Sequence, residues 1–407
     1  MIVSGWSFRR GRNYELNKNS PGTATVTLID TTSEIDPTNP AYAFDPGTPA
    51  AIALHNPVTQ TDHTVFRGNI SRLQYQLYPS EKYAVATLEL VDGLDRLART
   101  EMNAGQGVTI QWGYFPSAAQ PGDLFFITDD SGSAVANRIN NVLNSAQWPV
   151  GLREIFSGNV ALQQTFYAYR TPALNVILDA ADAEFPGVAN FYCQKDGRAT
   201  FHGRLARFNP DDAQYHISKW RCGDTAAVQA DATRALIFGL DYDQDVEKNI
   251  NTAISTPKGI ADADIAGQRV ENAASIAAYG SRSISFDNLL TKKDHFDNSG
   301  ANAATKKFAT YYVSNYKDPR TRVNRIIFKR LDPSHPNAQR VWQVMCNVDI
   351  SDIIRLKTTH QGGGFDEDFY VEGITAEARP LSDDFDDVVM HLDVSPRAYY
   401  NTNPGFF

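Results

Sequence analysis

A run of short alternating segments near the start of this chain is echoed near its end, and this pattern constrains the fold more than any other. In residues 23–29 the apolar Ala24, Val26 and Leu28 alternate with threonines, and in residues 83–91 Ala84, Ala86, Leu88 and Leu90 share one face. A period of two is the mark of a half-buried strand. Residues 49–54 and 64–73 have the same strand character, and Asn19-Ser20-Pro21-Gly22 is turn chemistry. Strands at this spacing predict a small antiparallel barrel or sandwich. Downstream, Tyr370-Val371-Glu372-Gly373-Ile374 stands before Met390-His391-Leu392-Asp393-Val394 much as Val65-Phe66-Arg67-Gly68-Asn69-Ile70 stands before Leu88-Glu89-Leu90-Val91-Asp92. Ala51-Ile52-Ala53-Leu54-His55 has its counterpart in Ile354-Arg355-Leu356-Lys357-Thr358. A glycine inside a strand marks a bulge or a close backbone approach, so its recurrence predicts the same bend twice. Either the chain holds two copies of one β-domain, or two ordinary hairpins are alike by chance.

The stretches between are mixed. Residues 133–146 place Val135, Ile139, Val142, Leu143 and Ala146 on one helical face before Trp148-Pro149. Thr171-Pro172 reads as an N-cap with proline at the first helical position, opening a helix with Leu174, Ile177, Leu178 and Ala181 inward. Residues 191–194 and 199–202 flank Asp196-Gly197 as a hairpin. Residues 225–255 return to strands, a helix is expected over about 302–316, and residues 323–331, 341–348, 353–358, 369–378 and 387–394 read as strands. The expected fold is therefore α+β and β-rich: two related antiparallel β-barrel domains with inserted α+β modules. The expected boundaries are a first barrel at 1–112, an α+β module at 113–207 and a second barrel at 208–255 and 340–396. A β-α-β module at 256–339 interrupts the second barrel, and a tail at 397–407 ends the chain.

Composition narrows the function. At 407 residues the chain has room for two to four domains, and 42% hydrophobic residues exclude a disordered chain. A net charge of −9 without a basic run makes a poor nucleic-acid binder. No segment approaches the ~20 apolar residues of a membrane span, and the basic pair after Met1-Ile2-Val3-Ser4-Gly5-Trp6-Ser7-Phe8 reverses the order of a secretion signal. Cys193, Cys222 and Cys346 are widely spaced and read as core residues of a chain made in a reducing compartment. Twenty-five arginines against 13 lysines favour protein interfaces.

Catalytic signatures are missing: there is no Gly-x-Ser-x-Gly, His-Glu-x-x-His, phosphate-loop or dinucleotide pattern. Asp241-Tyr242-Asp243-Gln244-Asp245 imitates the start of a calcium loop, but Val246 replaces the turn glycine and Thr252 the bidentate glutamate. Asp383, Asp384, Asp386 and Asp387 read as a solvated hairpin tip. The eight histidines show no metal-ligand spacing, and Glu184 is a lone helix-end carboxylate with no second acid placed beside it. No catalytic residue, cofactor or metal is expected.

With these residues in view the chain resembles the tail hub (baseplate hub or minor tail) proteins of long-tailed bacteriophages. The likeness runs through Phe8-Arg9-Arg10-Gly11-Arg12-Asn13-Tyr14-Glu15-Leu16, Pro21-Gly22-Thr23-Ala24-Thr25-Val26, Asp36-Pro37-Thr38-Asn39, Phe66-Arg67-Gly68 and Asp92-Gly93-Leu94-Asp95-Arg96-Leu97. It continues in the helix holding Arg138 before Trp148-Pro149 and in Ser275-Ile276-Ala277-Ala278-Tyr279-Gly280. The resemblance implies a non-enzymatic virion protein, made in the bacterial host cytoplasm, with two related barrels per chain. It further implies a homotrimer whose six barrels match a hexameric tube. Its implied partners are the tail tube or distal tail protein ring, the tape measure protein and downstream tip or fibre proteins, with DNA passing through unbound. Arg9, Arg10, Arg12, Phe66, Arg67 and Gly68 are the residues it nominates for assembly contacts. A tail-tip cell-wall hydrolase and a receptor- or carbohydrate-binding tail protein are the alternatives.

Overall fold

A computed structural model describes residues 2–40, 42, 44–102, 124–212, 215, 217–260, 268–292, 304–359, 363–382 and 385–400. The start of the 113–207 module, residues 401–407 of the tail, and Asp383 and Asp384 lie outside the described residues.

The alternating segments form the strands their periodicity predicts. In the first part these are β2 (Thr23–Asp30), β3 (Pro49–Asn56), β4 (Thr61–Tyr78) and β5 (Tyr83–Val91), the last alternating strictly between buried and half-buried positions. They are preceded by β1 (Ile2–Gly11), a strand the alternation did not point to. All their ladders are antiparallel, in the order β1-β2-β5-β4-β3. A second set is β6 (Gly239–Gln244), β7 (Thr321–Lys329), β8 (Ile353–Lys357), β9 (Asp366–Ser382) and β10 (Phe385–Pro396). Its ladders are again all antiparallel, in the order β6-β7-β10-β9-β8. The echo is therefore a repeated five-stranded topology.

Both glycines of the echo sit where a neighbouring backbone comes too close for a side chain. A Cβ on Gly68 would lie 2.1 Å from the Val91 carbonyl oxygen, and one on Gly373 would lie 2.5 Å from that of Arg12. Bulges accompany them, with the register shifting between Ile70 and Arg72 in β4 and between Val371 and Gly373 in β9.

The molecule is β-rich, but no ladder among the described residues closes either repeat into a barrel. In the first repeat the reason is local. From Trp6 to Arg9 both edges of β1 are filled, by β2 on one side and by β9 of the second repeat on the other. That pairing merges the repeats into a single 12-stranded sheet. One apolar core runs through both repeats, from Phe8, Phe66 and Leu88 to Ile326, Ile374 and Leu392.

Three readings need correction. Residues 341–348 are not a strand but most of helix Ala338–Asn347, which buries Ala338, Val341, Trp342 and Met345. The i, i+3, i+4, i+7 spacing was present beneath the β-branched residues, with Gln339, Arg340 and Gln343 facing out. The helix expected after Thr171-Pro172 opens one residue later than that reading, because both residues pair with Met102 and Glu101. The helix runs Ala173–Glu184 with Pro172 at its N-cap. Within residues 225–255, 225–230 form a short helix capped by the Asp224 side chain.

A second core fills the mixed regions. It joins helices Ala134–Ser145, Ala173–Glu184 and Ala304–Tyr316 through side chains such as Val135, Ile177, Phe185, Phe308 and Tyr312. The segment between β6 and β7 contributes the three-stranded sheet of Thr252–Pro257, Arg269–Glu271 and Ser283–Leu289, and its Ala253 and Leu289 belong to this same core. Among the described residues no helix is long and apolar enough to cross a membrane.

Candidate assembly interface

The inner face of β1 changes character along its length. Trp6 and Phe8 stack at 5.8 Å, and Phe8 meets Phe66 at 5.9 Å inside the sheet core. Two residues on, the same face carries Arg10, and Arg12 follows just beyond the strand; both are buried. A buried guanidinium needs a paired anion to offset its lost hydration, and each has one from the second half of the chain. Arg10 lies 2.8 Å from Asp349. Arg12 Nε donates to Glu372 at 2.8 Å.

Glu372 is the residue at the β9 bulge. It is fully buried and accepts from Arg12, from Arg207 Nη1 at 2.8 Å and from the Ser395 hydroxyl at 2.5 Å. Burial alone would push its carboxyl up, but the two guanidiniums and the serine overcome this and hold it at about 2. Arg207 also lies over the Tyr370 ring at 4.1 Å, and its carbonyl accepts from the Tyr370 hydroxyl at 3.0 Å. The bulge turns an acid inward at the point where β1 docks. Gly11 permits the approach, since it is left-handed at φ +83° and a Cβ there would sit 2.3 Å from the Glu372 carbonyl oxygen.

The six residues nominated from the sequence thus occupy three settings. Arg10 and Arg12 form the joint between the two repeats. Phe66 and Gly68 lie within the first repeat, one in its core and one against β5. Arg9 and Arg67 are exposed. Arg9 stands between Thr23 and Thr375 across its two ladders, and Arg67 reaches the Asp196 carbonyl in the hairpin turn of the mixed region, at 3.5 Å. Sequence reasoning missed Glu372, Arg207 and Asp349, which are distant in the chain. A signal for one of them was present in the echo, where Glu372-Gly373 stands in the place of Arg67-Gly68.

The other singled-out residues have structural roles. Glu184 is buried, accepts from the Asn159 and Val160 amides and lies 3.4 Å from Arg204. Asp241 and Asp243 belong to strand β6 and not to a cation loop. The three cysteines are buried and unpaired. No group of three or more His, Cys, Asp or Glu side chains among the described residues is placed to hold a metal ion.

No protein-family model matches the sequence, and no curated protein does. Solved structures do match in fold. A tail protein from Neisseria meningitidis MC58 superposes with a TM-score of 0.54 at 9% identity, covering 98% of this chain and 94% of that one. The 43 kDa tail protein of prophage MuSo2 from Shewanella oneidensis does so with a TM-score of 0.54 at 10% identity, covering 99% and 96%. The chain has the fold of phage tail proteins. The tail-protein fold here spans nearly the whole chain, mixed regions included, so the likeness is to the full architecture and not to one sheet.

Proposed function

We propose that this chain is a structural virion protein, a trimeric hub at the phage tail tip. It adapts the hexameric tail tube, or a distal tail protein ring, to the tip and host-recognition parts, and it surrounds the channel through which tape measure protein and DNA leave. The observation that carries this reading is the repeated five-stranded unit inside a full-length tail-protein fold. Two like units per chain give a ring of three chains six like positions, the number a sixfold tube presents. The repeats take the role of the two related barrel domains, and heterologous contacts whose rotation closes give a ring instead of a filament. No enzymatic role is proposed: the buried charges found here are paired inside the fold and hold the chain together.

The test is to purify the chain and weigh it by light scattering, and to label assembled phage particles with an antibody against it. Three chains per particle in solution and label at the tail tip are expected. A stable monomer at micromolar concentration together with unlabelled particles would overturn the proposal.

A further inference from the structure

The joint between the repeats is one-sided. Strand β1 of the first repeat lies against residues 373–378 of β9 in the second. The equivalent strand of the second repeat is β6, and the equivalent stretch of the first is the outer half of β4. Among the described residues neither edge is paired: β6 pairs only with β7, and from Arg72 to Tyr78 β4 pairs only with β5. Within one chain the contact is made once, and its second copy is left as two open edges.

We infer that β6 of one copy of this chain adds to the outer half of β4 of the next copy, repeating between chains the contact that β1 and β9 make within one. The ladders fix the register. Trp6 pairs with Val26, which pairs with Leu88, and Leu240 pairs with Ile326, which pairs with Leu392. Superposing the two bulges supplies the anchor, since just past them Leu73 pairs with Leu88 and Ile374 with Leu392. Leu88 then matches Leu392, two residues from the match the sequence echo suggests, and Leu240 stands where Trp6 does. Ala378 faces Val388, four residues before Leu392, and Leu77 faces Ala84, four residues before Leu88. Leu77 therefore stands where Ala378 does. Since Trp6 faces Ala378, Leu240 faces Leu77 in the next copy. The antiparallel register then sets Tyr242 against Tyr75, Gln244 against Leu73 and Asp245 against Arg72.

Two independent features fit this partner. The edges carry apolar side chains that the isolated chain leaves largely in water: Leu77 is 56% exposed and Phe238, next to β6, 69%. Such residues on a bare strand edge invite pairing with another chain. The register also sets Asp245 beside Arg72, an exposed arginine whose partner within the chain is Glu89 at 3.4 Å, so a cross-chain charge contact can favour this direction. The outer edge of β3 is open as well, but its equivalent β8 is covered by a parallel strand, Lys219–Gly223, and not by a member of the other repeat. Only the β6 and β4 edges reproduce a contact already present.

The inference rests on the ring reading only for the number of copies. Cysteine pairing tests it, because all three native cysteines are buried. Leu77→Cys and Leu240→Cys chains are mixed and oxidised, with each variant alone and a mixture of Ala53→Cys with Leu240→Cys as controls. A cross-linked dimer is expected in the first mixture only. Leu77→Lys is expected to weaken self-association about tenfold or more, since it charges an apolar contact, while leaving the melting temperature of the dilute chain unchanged. Absence of the cross-link, or its appearance at Ala53 instead, overturns the inference even where the protein forms trimers at the tail tip. Cross-linked oligomers absent from phage tails leave the edge contact standing and remove the hub reading.

Discussion

The β1–β9 joint and the β4 and β6 edges are equivalent places in two copies of one five-stranded unit, and they differ in nearly every other respect. At the joint the backbones are fully paired, glycines stand where the strands press together, and Arg10, Arg12 and Arg207 converge on Asp349 and Glu372. At the edges the ladder stops, Leu77 largely faces water, and the charges are solvated. The difference teaches that a repeated unit offers the same pair of edges twice, of which folding of one chain uses one. The one used has acquired a buried polar network that ties it to a single geometry.

The most direct way to break the comparison is to remove the acid at the centre of the joint. Glu372→Ala leaves Arg12 and Arg207 buried without their carboxylate and should cost about 3–5 kcal/mol, read by chemical denaturation. A loss as small as that of a surface substitution would show that the network does not hold the repeats together.

Acid should act on the same group. Glu372 titrates at about 2 in the fold against an ordinary 4.5. Its contribution is complete above pH 4.5 and is lost as pH falls toward 2, in total about 3 kcal/mol. Asp352 accepts from the amide of the joint's Asp349 at 2.9 Å and from the Trp220 indole at 2.8 Å. It has the opposite sign, because burial raises it from 3.8 to about 7. Its contribution is present below 3.8 and is lost as pH rises through about 7. Denaturation midpoints measured from pH 2 to 8 should show the acid limb flattened in Glu372→Gln and the decline toward neutral pH flattened in Asp352→Asn. Unchanged limbs would sink the assignments.

Smaller effects should come from the two bends. Gly68→Ala and Gly373→Ala each force a Cβ against a neighbouring carbonyl, 2.1 Å and 2.5 Å away, and each should cost about 1–3 kcal/mol. Losses at both would show that the close approach is tight within the first repeat as well as across the joint, and a neutral Gly68→Ala would confine the strain to the joint. Smallest of all for the isolated chain is Leu77→Lys, expected to move stability by under about 0.5 kcal/mol, with its effect confined to self-association.

Much of this was legible in the sequence. Alternation in residues 23–29 and 83–91 placed β2 and β5, because a strand with one wet face must alternate. The strand glycines in Phe66-Arg67-Gly68 and Val371-Glu372-Gly373 marked both bends, because only glycine tolerates so close a neighbour. Helix Ala338–Asn347 was misread because β-branched and aromatic residues crowd its inner face and hide the longer period. Arg10 and Arg12 were picked out, but not their setting inside the chain, because their anions lie more than three hundred residues away and no local pattern records such a distance.

By itself, then, the sequence determined most of the strands, their doubling and the resemblance to phage tail proteins, since period, turn chemistry and strand glycines are local physics. The tertiary structure alone decided that β1 lies against β9. With both sides of β1 filled from Trp6 to Arg9, the first repeat cannot close on itself there, and the two repeats become a continuous sheet. Which strand takes an edge depends on what else competes for it and on which buried charges are satisfied there. Both are settled only when distant parts of the chain meet.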